Sequence, residues 1–538
     1  MTQYLLAAEA DKIQDFVFRS SRLREVVGGS QLLSRFCEEV PTLLNSPRDG
    51  MDIVINSGGS FRILFDDENQ ARLFGEQLAE VYRRAMDSTL TVADPVAVNA
   101  NYGKASKEAE KELRKAKRWR ERWQSLEHMP YIAFCASCGI GLAVGYKSYH
   151  GSDEKQYLCT SCLNKNAERG SSRQANEAGS FLENFYKLVL GGRKDLANFG
   201  WPGKEKYRGR SELDPTDDIA DYDHRRYVAY LLADGNGMGK IFDECKKQKQ
   251  MRKLSDQLTF IIFQALAGPT KEIMNNNKLE DRPCFIPVLP LILGGDDLFA
   301  LIPAPWALDF AQSFCRVYEQ RMAELIKDLG LNVPKPTISA TVVVCKGKHP
   351  YKLAHEIGET RLKEAKQIGK RAILEDDKHY STINFEVVLG GRLVSDCPSG
   401  AMRPTLRPYW VTDEEISDRG LSIQRLIDQR YNLRAIPNKR LSEIQRLFDP
   451  NNMPKKCDDI DWKDKLERLM RRIKQRNEDQ GKIIEDALKS LGGNEERFWM
   501  RIDRDEYSWC GQGFPDLLEA WDFALELEKE RKVYQGDR

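Results

Sequence analysis

The chain opens by alternating short apolar runs with longer segments whose apolar residues recur every three to four positions. "QYLLAAEA" (3–10) has the length and continuity of a buried strand. "VVGGSQLLSRFCEEVPTLL" (26–44) has helical spacing, "MDIVINSGGSFRILF" (51–65) reads strand, glycine turn, strand, and "ENQARLFGEQLAEVYRRAM" (68–86) reads as an amphipathic helix. A short strand, "LTVADPVAV", and a strongly charged helix, "KASKEAEKELRKAKRWRERW", complete this region. The same rhythm returns after residue 226. "RRYVAYLLADGNGMGKIFDE" predicts a strand entering a Gly-rich turn and a helix, and "LPLILGGDDLFALIPA" predicts a buried hairpin. "LDFAQSFCRVYEQRMAEL" is helical, "PTISATVVVCK" a strand and "PYKLAHEIGETRLKEAKQIGK" a helix. "AGPTKEIMNNNKLEDRP", before the hairpin, predicts a mobile insertion. Residues 395–538 carry helical periodicity, many charges and few strand signals.

The two α/β regions match in order, which predicts two copies of one domain. "YLLAAEADKIQDFVF" parallels "YLLADGNGMGKIFDE", and "SGGSFRILF" parallels "LGGDDLFALI". Near the end of each copy stand Leu113, Ala116 and Lys117, against Leu362, Ala365 and Lys366. This matching sets Asp296 and Asp297 opposite Ser60 and Phe61 and leaves Asp234 with no acid opposite it. The element order predicts an α+β fold with two ferredoxin-like, palm-type sheets backed by helices. The expected divisions are a first palm over 1–130, a cysteine element over 131–165, a helical linker over 166–225, a second palm over 226–385 and a helical C-terminal domain over 386–538.

Length, charge and cysteines narrow the class. With 538 residues, about three to four domains are expected. Lys+Arg 83 against Asp+Glu 82 leaves a net charge of +1, so only local patches can speak for nucleic acid. No apolar run is long enough to span a membrane and the start lacks a signal-peptide pattern, so a cytoplasmic protein is expected. Eight of the twelve cysteines are scattered singly, which suits a reducing compartment.

The chemistry gathers in the second copy. Two neighbouring carboxylates at a hairpin tip repel by roughly 1 kcal/mol in water at 4 Å and about 4 at an effective dielectric near 20. A cation resolves this, and hard divalent ions such as Mg²⁺ or Mn²⁺ take carboxylate oxygens plus substrate phosphates. The strand ending in Asp234 is followed by Gly235, Asn236, Gly237, Gly239 and Lys240, a turn whose amides can approach a triphosphate. It is not a P-loop. Adjacent strands would bring Asp234 beside Asp296 and Asp297 in a two-metal site, with Gly294 and Gly295 shaping the turn. Lys366 and Lys370 are candidates for neutralising a triphosphate, or are simply a solvated helix face.

Cys135 and Cys138, and Cys159 and Cys162, form two Cys-x-x-Cys pairs twenty residues apart. Four thiolates on two knuckles predict a closed, structural Zn²⁺ site. His150, between the pairs, is read as a bystander. Basic stretches at 104–123, 246–253 and 468–476 would contact RNA phosphates or acidic partners, or be solvated helix faces.

"ADGNGMGK", "GGDD" and "AKQIGK" together resemble the palm/GGDEF-type nucleotide cyclases. They are most similar to the large subunit of type III CRISPR effector complexes, the Cas-ten, Cmr-two-like family. "IQDFVFRSSRLREVVGGSQLL" is similar to that family's first, non-catalytic palm. The resemblance implies conversion of ATP to cyclic oligoadenylate messengers with release of pyrophosphate. It also implies association with effector subunits and guide RNA, and activation by target RNA. Asp234 and Asp297 would be the main metal ligands, with Asp296 in support. Many members begin with an HD nuclease domain. This sequence has six histidines and no His-Asp dipeptide, so nuclease activity is not carried over. Two other functions stay open: a non-catalytic scaffold of a ribonucleoprotein, and a stand-alone cyclase making another nucleotide signal.

Overall fold

The computed structural model describes residues 2–527 except 21, 45–49, 100, 121–132, 149–153, 175–180, 192–214, 277–284, 377–378, 389–401, 413–419, 450–451, 454–459, 493–497 and 505–506. His150 and most of the 166–225 linker's polar stretches lie outside the described residues.

The first α/β unit comprises β1 (Gln3–Ala10), α1 (Ile13–Val17), α2 (Leu23–Leu44), β2 (Met51–Ser57), β3 (Ser60–Phe65), α3 (Glu68–Met86), β4 (Leu90–Val92), β5 (Val96–Val98) and α4 (Tyr102–Arg120). Its sheet runs β2-β3-β1-β4, with β5 also paired to β1, and every pairing is antiparallel. β1 reads as a continuous apolar run because Leu5, Leu6, Ala7 and Ala8 are all buried, on both faces of the sheet.

The cysteine element follows as β6 (Gly145–Ser148), β7 (Lys155–Leu158) and α5 (Thr160–Gln174), with its own small core of cysteines and Leu158. α5 packs on α2 of the first unit. After α6 (Phe181–Leu190) and α7 (Pro215–Ile219) the second unit begins. It comprises β8 (Tyr227–Asn236), α8 (Met238–Glu244), α9 (Gln248–Asn276), β9 (Leu289–Gly294), β10 (Asp297–Pro303), α10 (Ala307–Leu329), β11 (Thr337–Lys346), α11 (Tyr351–Asp376) and β12 (Ser381–Val387). The expected mobile insertion is instead helical as far as Asn276: α9 runs through Pro269 and buries Ala267, Thr270 and Ile273.

β9-β10-β8-β11 repeats the order of the first sheet, and β12 extends it in parallel with β11. The final region contributes β13 (Met402–Arg403), β14 (Tyr409–Val411), α12 (Ile423–Leu433), α13 (Asn438–Gln445), α14 (Ile460–Arg476), α15 (Glu478–Gly492), β15 (Met500–Arg504), β16 (Tyr507–Gly511) and α16 (Phe514–Glu519). It is mainly helical, but its periodicity conceals a three-stranded sheet, β13-β16-β15, and β14 pairs with β12 at the edge of the second unit. Arg407, three-way paired to Asp516 (3.1 Å), Glu519 (3.0 Å) and Glu386 (3.7 Å), ties α16 to that edge. Among the scattered cysteines Cys37, Cys245, Cys315 and Cys345 are free thiols, while Cys510 is disulfide-bonded. No helix among the described residues is long and apolar enough to cross a membrane.

The two units exchange elements. α9 of the second packs on β2 of the first, and α2 of the first packs on β9 of the second. Ser57 and Ser255 hydroxyls meet at 3.1 Å across this seam. Phe18 of the first unit lies 4.0 Å from the ring of His355 and 5.5 Å from that of Phe299, both in the second. At the centre the two glycine turns touch: a Cβ on Gly58 would stand 3.1 Å from the Gly295 nitrogen and 3.2 Å from the Gly294 carbonyl carbon. Only glycine fits such an approach of backbone to backbone.

Candidate active site

The hairpin tip is built differently in the two units, and strand register shows how. In the first, Ser57 pairs with Ser60, so Gly58 and Gly59 are the central turn residues, both with positive φ (58° and 77°). In the second, Gly294 pairs with Asp297, so the central residues are Gly295 and Asp296. Only Gly295 has positive φ (66°), as a type II′ hairpin requires. The correspondence is therefore one residue off from the sequence matching. Asp297 stands at the position of Ser60, and Asp296 at that of Gly59.

The neighbouring strand corrects a second expectation. In the first unit Ser60 lies opposite Glu9 on β1, whereas in the second Leu298 lies opposite Ala233, which puts Asp297 next to Asp234. Asp234 thus does have an acid at its matching position, Glu9.

A compensating size change explains both turns. Gly235 is a glycine because a Cβ there would come within 3.2 Å of the Asp296 Cβ and 2.9 Å of the Tyr318 hydroxyl. Gly59 is a glycine because a Cβ there would come within 2.9 Å of Ala10 Cβ and 2.7 Å of Ile13 Cδ1. The pair is Ala10 with Gly59 in one unit and Gly235 with Asp296 in the other.

Asp234 and Asp297 stand side by side on β8 and β10, and enclosure, together with the neighbouring Asp234, pushes the Asp297 carboxyl well above the usual carboxylate range. Enclosure and then Asp234 push Asp296 up to about 6. Lys366 of α11 makes a charge-assisted hydrogen bond to Asp234 Oδ2. Oxygen-only donors with surplus negative charge suit a hard divalent cation. Three aspartates are near one another, but among the described residues only the four cysteines gather three or more ligand atoms within 4.8 Å.

The other candidates separate. Gly237 caps α8 in the left-handed conformation (φ 68°), and Gly239 and Lys240 are exposed beside it. Asn236 turns its side chain into the sheet instead: its Nδ2 donates to Thr337 Oγ1 and its Oδ1 accepts from Ser339 Oγ, each at 3.0 Å. Lys370 is exposed on α11, and no hydrogen bond or ion pair joins it to the acids among the described residues.

A cavity of about 540 Å³ opens beside the touching turns. Ser34 and Glu38 of α2, Asn56 of β2, Lys187 of α6 and Asp256 and Thr259 of α9 are among its lining residues. Burial raises the carboxyls of Glu38 and Asp256 above their ordinary values. Strand and helix periodicity gave no signal for this pocket, because its walls come from both units. Lys117, matched to Lys366 in the sequence, forms an ion pair with Glu9 at 3.0 Å.

In the cysteine element the sulfurs of Cys135, Cys138, Cys159 and Cys162 all lie within 4.8 Å of one another. The knuckle is closed by Gly139 N–H donating to the Cys135 carbonyl (2.9 Å) and Cys135 N–H donating to the Gly141 carbonyl (2.8 Å). Four sulfurs on such turns fit tetrahedral zinc with no open position. Ser137 inside the knuckle donates to the buried Glu25 of α2 at 2.6 Å.

The four-stranded antiparallel core with acids at a hairpin tip and at the adjoining strand end defines a palm-type domain. Residues 227–374 match the family model described as Cas10/Cmr2, second palm domain. That segment is similar to a Cas10/Cmr2 second palm, and the chain shares its overall fold with solved Csm1 structures. Csm1 from T. onnurineus superposes with a TM-score of 0.53 at 13% identity, over 98% of this chain and 70% of that one. The Csm1–Csm4 cassettes in complex with pppApA and with cA3 each give 0.51, at 16% and 15% identity, over 90% of this chain and 69% of theirs. The chain spans 64% of the length of the Csm1 chain in a further cassette structure and 53% in another. No curated protein matches the chain significantly by sequence.

Proposed function

We propose that the second unit is a metal-dependent nucleotidyl cyclase that joins ATP into cyclic oligoadenylates and releases pyrophosphate. The observation that carries this reading is the Asp234–Asp297 pair beside a glycine turn in a Cas10/Cmr2 second palm. The likeness to cassettes solved with pppApA and cA3 supports adenylate chemistry. Asp234 and Asp297 would hold Mg²⁺ or Mn²⁺, with Asp296 in support. Such an ion polarises a phosphoryl oxygen and lowers the pKa of an attacking hydroxyl. The chain's own part is positioning. The exposed amides around Gly237 and Gly239 face the phosphates, and the cavity between the units receives the remainder of the nucleotide. Because its walls come from both units, the first unit takes part in binding although its turn has no acid. Partner subunits of a type III effector, guide RNA and target RNA complete the proposed working complex, in the cytoplasm, with zinc as a structural ion in the cysteine element.

The test is incubation of the chain with ATP and Mg²⁺ or Mn²⁺, alone and reconstituted with effector subunits, guide and target RNA, followed by mass spectrometry of the products. Cyclic oligoadenylates are expected, and their loss in the Asp296→Ala/Asp297→Ala double variant. Product that persists in the double variant, or ATP that is never consumed in any of these mixtures, overturns the assignment.

A further inference from the structure

We infer that Lys366 is a resident counter-ion for Asp234, one that occupies the carboxylate until a divalent cation takes it. The inference rests on reading Asp234 and Asp297 as cation ligands.

Three observations carry it. First, the Lys366 ammonium sits directly on Asp234 Oδ2, with both side chains only about a quarter exposed (27% and 23%). A cation that binds both Asp234 and Asp297 must displace it.

Second, the pair recurs where no cation is expected. Lys117 Nζ contacts Glu9 Oε1 at 3.0 Å, and both residues stand at the positions of Lys366 and Asp234. A contact present in both copies is a feature of the fold and not a by-product of one acid cluster. In the first unit the turn offers Ser60 in place of Asp297, and the second carboxylate near the lysine is Asp11, at 4.0 Å.

Third, the backbone beneath Lys366 is fixed. Asn236, Ser339 and Thr382 form a buried ladder across β8, β11 and β12. Ser339 Oγ donates to Asn236 Oδ1 and meets Thr382 Oγ1, both at 3.0 Å, and Thr382 Oγ1 donates to the Ala365 carbonyl at 3.1 Å. Buried networks of this kind hold one geometry when every member is satisfied. Asn236 is thereby a positioning residue: it sets the turn of α11 from which Lys366 reaches the acid. The lysine stem itself stays flexible, which suits an ammonium that gives way to a cation.

The experiment measures Mn²⁺ binding to the full chain without nucleotide, by the electron paramagnetic resonance signal of free Mn²⁺. The relevant site is the binding lost in Asp297→Asn. Lys366→Met is expected to tighten that site about three- to fivefold, the range for removing a competing ion pair. Lys363→Met, which deletes an exposed charge on the same helix, and Lys117→Met, which deletes the matching lysine of the first unit, are expected to leave it unchanged. Thr382→Val, which frees the Ala365 carbonyl, is expected to tighten it by a smaller factor. Equal Mn²⁺ affinity in Lys366→Met and wild type overturns the inference. So does equal tightening in Lys363→Met, which would mark a general field effect. If Asp297→Asn loses no Mn²⁺, the cation-ligand reading itself falls and takes the inference with it. Thermal melts of each variant verify that the fold is intact.

Discussion

The two palm units share a sheet order, a glycine turn, and an acid–lysine pair between the central strand and the last helix. At the turn itself they differ in three side chains that face one another across the hairpin and the central strand. The first has Ala10, Gly59 and Ser60 where the second has Gly235, Asp296 and Asp297. The exchange of Ala10 and Gly59 for Gly235 and Asp296 keeps the space between turn and strand nearly constant while moving the side chain from one wall to the other. Loss or gain of metal chemistry in this fold is therefore not a single substitution. An acid at the turn needs a glycine facing it.

The largest expected effect separates the two turns directly. Asp297→Ala in the second unit should lower product formation by about a thousandfold or more, as removal of a group that organises transition-state charge does. Ser60→Ala, at the matching position of the first, should leave it within about twofold, and a mass-spectrometric product assay compares the two.

Next comes the cysteine element, which packs on the first unit through α5 on α2 and Ser137 on Glu25. Cys159→Ser should abolish stoichiometric zinc by elemental analysis and cost about 2 kcal/mol or more of stability. Hydrogen exchange should accelerate in α2 and α5, with β8 and β11 protected as before. Uniform loss of protection in both units would erase the distinction.

The exchange of small residues is tested by Gly59→Ala, which faces both a positive φ and Ala10 at 2.9 Å. A destabilisation of roughly 1–3 kcal/mol in denaturant melts is expected. Adding Ala10→Gly should recover about 1 kcal/mol of it. Additive effects would show that the two positions do not share their space.

The smallest effect is electrostatic. Asp296 is pushed up to about 6 by enclosure and by Asp234, so the folded state holds this proton more tightly than the unfolded chain does. The resulting cost is full above about pH 6 and disappears below the unfolded value near 4. In metal-free buffer Asp296→Asn should raise the melting temperature by about 1–3 °C at pH 8. That gain should fade as pH falls from 6 to 4. Gly59→Asn in the first unit should show no such pH-dependent gain.

Much of this was legible in the sequence, for reasons that particular residues make plain. The apolar run of β1 and β8, the glycine turns and the Cys-x-x-Cys pairs are local signals, and each element formed where they stood. The repeated Leu-x-x-Ala-Lys located Lys117 and Lys366 correctly. Register was not legible, because a Gly-Gly dipeptide aligns with another Gly-Gly even when one turn uses both glycines at its centre and the other uses Gly295 with Asp296. That slip of one residue hid Glu9. The side-chain direction of Asn236 was not legible, because a Gly-rich turn does not reveal which way a side chain leaves the strand. The cavity was invisible because α2, β2, α6 and α9 are far apart in the chain. The three-stranded sheet of the C-terminal region was missed because its strands are short and two of them lie some hundred residues from the third.

The contact of Gly58 with Gly294 and Gly295 has a further consequence for how the two copies can diverge. Backbone rests on backbone there, so neither turn tolerates a side chain at the point of contact, whatever chemistry it performs. The first turn carries no carboxylate, yet it keeps the bare surface that the contact demands. Its two glycines thus record a mechanical obligation to the other half of the molecule. The first unit cannot be trimmed away without reshaping the turn of the second that leans on it.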